Sequence, residues 1–263
     1  MFLALDGAQA MAAAAEAERR VREADLRPLD GVTVTVKDLF DVRGEVTAAG
    51  STVLRSRPAA QADCPAVARL REAGAILFGR SNMVEFAYSG VGINPHFGTP
   101  RNVWGRAADG GGRVPGGSTS GGGVAVADGM ATVALGSDTG GSVRIPAALN
   151  GVCGFKPTAV RVPVVGAVPL SFSLDSVGPL AASVDCCARV DAVLAGEPHP
   201  VNAATPLAGK RLLVPRDATA WCDLDDEVTQ ACKAAVARLA AQGAVVVEAS
   251  LPELQEYFDQ ANH

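Results

Sequence analysis

The sequence predicts an α/β fold: a mixed, largely parallel central sheet flanked by helices. Three observations predict it. The chain has 263 residues, 48% hydrophobic and 19% charged, which is globular composition with enough apolar side chain for a sizeable core. Short apolar segments of strand character alternate with longer segments of helical period. The glycines cluster between these segments, where turns are needed, and there is neither an internal repeat nor a low-complexity linker.

Taken in order, residues 6–25 are Ala-rich with charges grouped late, which predicts an amphipathic helix. Asp30-Gly31 is a turn, and Val32 to Lys37 alternates strictly, as a strand with two unlike faces does. Asp63 to Gly74 reads as a helix capped by Asp63, with Pro65 early and Gly74 at its end. Ala75 to Phe78 is a short buried strand, and Asn82 to Ala87 a helix start. From Gly110 to Gly123 eight of fourteen residues are glycine, which excludes an ordinary helix or strand. Val124 to Met130 is helical, Thr132 to Leu135 a strand, Gly136 to Ser142 a second glycine-rich turn, and Val152 to Phe155 a strand. Arg211 to Val214 is a strand. Asp225 to Gln242 is a helix with its apolar stripe at Val228, Ala231, Ala235 and Leu239, expected to pack on a sheet that includes Val245 to Val247. The Pro-rich piece from Glu197 to Pro206 is a surface excursion.

Composition also excludes function classes. A net charge of −5 argues against a general nucleic-acid binder. No run of apolar residues is long enough to span a membrane, and Met1 to Gly7 is too short and lacks the basic start of a signal peptide. Cys64, Cys153, Cys186, Cys187, Cys222 and Cys232 form no C-x-x-C pair, which fits reduced thiols in a cytoplasmic protein. Cys186 and Cys187 are read as small buried hydrophobes on a helix. The three histidines are His96, His199 and His263, and this scarcity argues against a His-ligated metal and against a Ser–His–Asp triad.

Lys37 is one of four lysines and closes an apolar strand. Taken alone, it is best read as a strand-end charge reaching solvent. The rival reading is a desolvated lysine with lowered pKa, able to act as a general base. The two glycine clusters, Gly116-Gly117-Ser118-Thr119-Ser120-Gly121-Gly122 and Gly136-Ser137-Asp138-Thr139-Gly140-Gly141-Ser142, each suit a tight turn. A phosphate cradle fails, since no lysine follows the glycines and no G-x-G-x-x-G opens a βαβ unit. Neither is a G-x-S-x-G elbow, and no S-x-x-K occurs. What remains is hydroxyls displayed on permissive backbone. Gly140 and Gly141 before Ser142 let N–H groups converge as an oxyanion hole. A serine nucleophile needs a base, a neutral lysine is the remaining candidate, and a second hydroxyl could relay the proton between them.

The segments GGSTSGG at 116–122, GSDTGGSVRIPAA at 136–148 and GVCGFKPT at 151–158 resemble the amidase signature family. So do GVTVTVKDLFDVRG at 31–44, SNMVEFAYSG at 81–90 and NPHFGTPRN at 94–102, and the two serines stand 24 residues apart, the family's interval. The resemblance covers about residues 25–185. It implies the amidase signature fold and a Ser–cis-Ser–Lys triad: Ser142 as nucleophile, Ser118 as bridging serine, Lys37 as base. Thr139, Gly140, Gly141 and Ser142 would supply oxyanion-hole amides. It implies amide hydrolysis through an acyl-serine, with a small-molecule amide as substrate and no metal, cofactor, nucleic acid or membrane partner. A homodimer is one assembly it allows. Thr119, Ser120, Gly123 and Val103 depart from the usual pattern without touching the triad. Family chains run longer, so residues 1–263 are expected to be one domain of this type, incomplete at its C-terminus. The alternatives are the amidotransferase component of a glutamine-dependent tRNA-modifying complex, its A chain, with Tyr88-Ser89-Gly90-Val91-Gly92 favouring the free-standing enzymes, and an inactive fragment. Beside these, Arg144 is expected to pair with Asp138, and Asp38 to orient the site or cap a turn. Asn82 and Glu85 are read as helix-start residues, His96 as a satisfied loop histidine, and Phe97 and Trp104 as core.

Overall fold

The computed structural model describes residues 1–106, 112–198, 205–216, 224–253 and 256. His199, Cys222 and His263 lie outside the described residues, as do the glycines at 110 and 111 and most of the Pro-rich piece. The chain divides into two compact units, Met1–Val201 and Asn202–His263.

The first unit is built on a six-stranded sheet in the order β1-β3-β2-β4-β6-β5: β1 Phe2–Leu5, β2 Thr33–Lys37, β3 Ile76–Ser81, β4 Val133–Asp138, β5 Cys153–Gly154 and β6 Ser176–Ala181. β3, β2 and β4 pair in parallel, while β1 on β3, β6 on β4 and β5 on β6 pair antiparallel. Four of the six strands therefore run one way, and the mixed, largely parallel sheet expected from the alternation is found. β2 sits inside the sheet, so Val34 and Val36 are buried and belong to the main core with Leu39, Phe40, Val67, Leu70 and Leu135.

Five helices flank this sheet: α1 Gly7–Glu23, α2 Pro65–Glu72, α3 Ser120–Ala127, α4 Arg144–Asn150 and α5 Val184–Ala195. Asp6 caps α1 by accepting the Gln9 N–H, and buried Arg20 reaches Asp30 at 2.6 Å, which ties the helix to the turn before β2. Pro65 opens α2 as expected, but the expected Asp63 cap is not made. The Asp63 carboxylate is used by the Arg43 N–H and the Arg71 guanidinium instead. α5 carries both cysteines as expected, with Cys187 buried but Cys186 only half-buried.

Several expectations are corrected. The end of the first glycine cluster is helical, since Gly121, Gly122 and Gly123 form the first turn of α3. Packing explains the choice of residue: a Cβ on Gly121 would stand 2.5 Å from the Met1 carbonyl and the Asn82 nitrogen. α3 ends at Ala127, short of Met130. Asn82 to Ala87 is not a helix start but a single 3₁₀ turn at Glu85–Ala87, broken by Phe86 at φ 51°. Asn82 instead accepts from the Met83 N–H and donates to the Gly98 carbonyl. β4 runs on to Asp138, where the turn was expected from Gly136. α4 and β6 had no counterpart in the sequence reading. Trp104 is 60% exposed and is not core.

The second unit holds β7 Arg211–Pro215, α6 Asp226–Ala241 and β8 Val245–Ala249, with β7 and β8 parallel. Asp225 caps α6 on the Val228 N–H. The expected stripe is found only in the C-terminal half of the helix, where Val236 joins it. Ala235, Val236 and Leu239 are half-buried, whereas Val228 and Ala231 are exposed. Among the described residues no helix is long and apolar enough to cross a membrane.

Candidate active site

The site forms where β2 and β4 end side by side, with Val36 in register with Leu135. Lys37, the last residue of β2, is fully buried, which overturns the reading of it as a charge reaching solvent. Its Nζ lies 2.7 Å from Ser118 Oγ, 2.8 Å from Ser137 Oγ and 3.4 Å from the Ser137 carbonyl. Burial pushes the ammonium pKa down to about 7, against the opposing pull of the Asp138 and Asp175 carboxylates. The rival reading of Lys37, a desolvated amine that can be neutral near pH 7, is the one the geometry supports.

Ser118 is fully buried on the loop before α3, and the Gly117–Ser118 peptide is cis. The Ser118 carbonyl accepts the Val84 N–H, and the next N–H, that of Thr119, donates to the Ser142 carbonyl at 3.2 Å. That second bond joins the two serine loops. The Ser118 and Ser142 hydroxyls are not hydrogen-bonded to each other. Thr119 and Ser120 turn inward: the Thr119 hydroxyl donates to the Ser137 carbonyl and that of Ser120 to the Asn82 carbonyl.

Ser142 is largely buried on the turn between β4 and α4. Asp138 holds this turn together. Its carboxylate accepts the N–H groups of Gly141, Val143 and Arg144 at 2.8, 3.1 and 3.2 Å, and both nitrogens of the Arg144 fork. Burial opposes its ionisation, but the Arg144 guanidinium and the backbone amides outweigh burial and hold the carboxyl below its ordinary range. The Arg144–Asp138 pair is thus present as expected. Gly141 needs to be glycine here, at φ 127° and with the Ile145 side chain 2.7 Å from where a Cβ would stand. Its N–H is committed to Asp138, which sets it apart from the other amides expected in the oxyanion hole. Thr139 donates its hydroxyl to Asp175 at 2.5 Å.

A cavity of about 290 Å³ reaches the site at Ser137, the hydrogen-bond partner of Lys37, while Lys37, Ser118 and Ser142 are not among its lining residues. Ser137, Thr139, Asp175 and Ser176 are its polar residues, and Leu39, Ala87, Val168 and Phe172 are among its apolar walls. Ser137 is the site residue the sequence reading missed. The GSD segment has no alternation to signal it, and Ser137 comes next to the end of β2 only because β4 runs on to Asp138. Other named residues stand apart. Asp38 accepts the Gly50 N–H and faces Arg80 at 3.5 Å, so it caps a turn. His96 pairs with Glu85 at 3.0 Å, and Phe97 lies under the Arg55 guanidinium.

The chain is 45% identical to a 2-amino-5-chloromuconic acid deaminase of Comamonas testosteroni, over 97% of this chain and 54% of that protein. It is 36% identical to the A chain of the glutamyl-tRNA(Gln) amidotransferase of Ralstonia nicotianae, over 97% and 55%. Among solved structures it resembles the peptide amidase of Stenotrophomonas maltophilia, with TM-score 0.80 and 33% identity over 95% of this chain and 54% of that one. The chain spans about half the length of the relatives it matches. A profile of the family described as Amidase matches residues 1–262, and the chain belongs to the amidase, or amidase signature, family.

Proposed function

We propose that this chain carries the catalytic residues of an amide hydrolase working through an acyl-serine. The observation that supports it most is the fully buried Lys37 amine within 2.7 Å of Ser118, in an environment that favours its neutral form. Neutral Lys37 takes the Ser118 proton as Ser118 takes that of Ser142. The Ser142 Oγ attacks the amide carbonyl, and the oxyanion is held by N–H groups of Thr139, Gly140 and Ser142. The proton returns through Ser118 to the leaving nitrogen as the C–N bond breaks. Water then attacks the acyl-serine by the same relay and releases the acid. The relay requires the Ser142 hydroxyl to come within reach of Ser118 during the reaction, a tightening common when substrate binds. Serine-directed labelling tests the reading. A fluorophosphonate should modify Ser142, and Ser142→Ala and Lys37→Ala should each lose both labelling and amide turnover. Full activity in either variant overturns it.

The second reading, the A chain of a tRNA amidotransferase, is supported by relatives of that name at 36% and 38% identity. It expects glutaminase activity and co-purification with the other chains of such a complex. Wild-type chain that folds yet takes no label would favour the inactive fragment.

A further inference from the structure

We infer that Asp175 is a positioning residue that clamps the turn bearing Thr139 to the segment walling the cavity, so that oxyanion amides and substrate wall hold one geometry. The inference rests on the amide-hydrolase reading above and extends it to a residue outside the triad.

Asp175 immediately precedes β6, and its place is set by the register of Asp138 opposite Ser176. The Ser176 hydroxyl donates to the Asp138 carbonyl at 2.8 Å, which ties the two strand ends together. Beyond that tie the Asp175 carboxylate faces two ways. Toward the turn it accepts the Thr139 hydroxyl at 2.5 Å. Toward the wall it accepts the Leu170 N–H at 2.9 Å and the Ser171 N–H at 3.1 Å. The wall is otherwise apolar, with Val164, Val165, Val168 and Phe172 among its residues, and among the described residues Asp175 is the one charged group lining the cavity. A carboxylate suits the task, since two oxygens can serve donors from two directions at once.

The clamp also has an electrostatic signature. The charges acting on Lys37 are Asp138, already paired with Arg144, and Asp175, and both favour the ammonium. The remaining groups facing its Nζ are the Ser118 and Ser137 hydroxyls and the Ser137 carbonyl. Removing the Asp175 charge therefore makes Lys37 give up its proton at lower pH, whereas breaking the same link from the Thr139 side keeps the charge and leaves that pH in place.

The test compares wild type, Asp175→Asn, Thr139→Val and the double variant in the whole chain, by rate of fluorophosphonate labelling at Ser142 as a function of pH. In this reaction the Ser142 Oγ displaces fluoride from phosphorus and its proton passes through Ser118 to Lys37. Asp175→Asn should label roughly tenfold to a hundredfold more slowly, with its midpoint moved to lower pH. Thr139→Val should slow labelling and leave the midpoint in place. The double variant should be no slower than Asp175→Asn alone, because both break one link. Wild-type rate and midpoint in Asp175→Asn, or additive losses in the double variant, would overturn the clamp. If Asp175→Asn does not fold, Thr139→Val decides: wild-type rate there overturns it. A folded wild type that takes no label defeats the amide-hydrolase reading itself, and the clamp with it.

Discussion

Lys37 decides the site at the scale of single residues. A lysine amine with no counter-ion in contact and no solvent is costly when charged. Its hydrogen-bond partners are two hydroxyls and a carbonyl, which serve a neutral amine as well as an ammonium. Its lowered pKa gives two expected outcomes. Labelling or turnover should rise with pH through about 7, as Lys37 becomes able to accept a proton, and Ser118→Ala should cost roughly a hundredfold to ten-thousandfold in rate. Stability should follow the same group with a definite sign. The unfolded chain keeps the lysine proton up to about pH 10.4, so between about 7 and that value it binds more protons than the folded chain. The cost of the buried ammonium is thus fully present below about 7 and fades as pH rises. Lys37→Met should remove that slope, and its melting temperature should exceed that of wild type most at low pH. Parallel melting curves for the two proteins across this range would refute the assignment.

Elements matter here because they end where the chemistry begins. β2 and β4 are parallel neighbours that deliver Lys37 and Ser137 to one place, and α3 and α4 start beside Ser118 and Ser142. α3 can approach β3 and the first residues of the chain only because Gly121 has no side chain. Gly121→Ala puts a methyl 2.5 Å from backbone atoms that cannot rotate away. It should cost about 1–3 kcal/mol or more, with Ser118 displaced, and denaturant unfolding together with labelling rate would measure both. α2 is held differently, by its apolar face. Leu70 is fully buried in the main core, and Leu70→Ala should cost about 2–5 kcal/mol while leaving the pH midpoint of labelling unchanged. A shifted midpoint would mean that α2 also positions the site.

Over the whole molecule, the first unit contains every residue assigned to the reaction, and the second is a small parallel βαβ unit with a half-exposed helix face. The cavity wall also carries large apolar side chains into solvent, Phe172 at 93% and Val165 at 73% exposed. Exposed apolar surface of this kind binds partners or drives association. The chain in isolation should therefore bind ANS and self-associate at moderate concentration. Phe172→Ser should reduce both. Sedimentation showing a monodisperse monomer with little ANS binding would contradict this.

The sequence by itself determined the class of fold and singled out Lys37, Ser118 and Ser142 as candidates for the chemistry. Strict alternation marked β2, glycine and hydroxyl clusters marked the two serine loops, and the spacing of those loops pointed to one family. Periodicity could do this because local side-chain pattern dictates which face is buried. It could not say where β4 stops, because the GSD segment has no alternation and becomes strand only by pairing with β6. Nor could it see that Gly121 to Gly123 are helical, since that choice is made by backbone packed against them from distant parts of the chain. The protonation of Lys37 belongs to the same class. Sequence left it divided between a solvent-seeking charge and a buried amine, and only the burial of β2 inside the sheet favours the second, because desolvation is a property of neighbours that are far away in the chain.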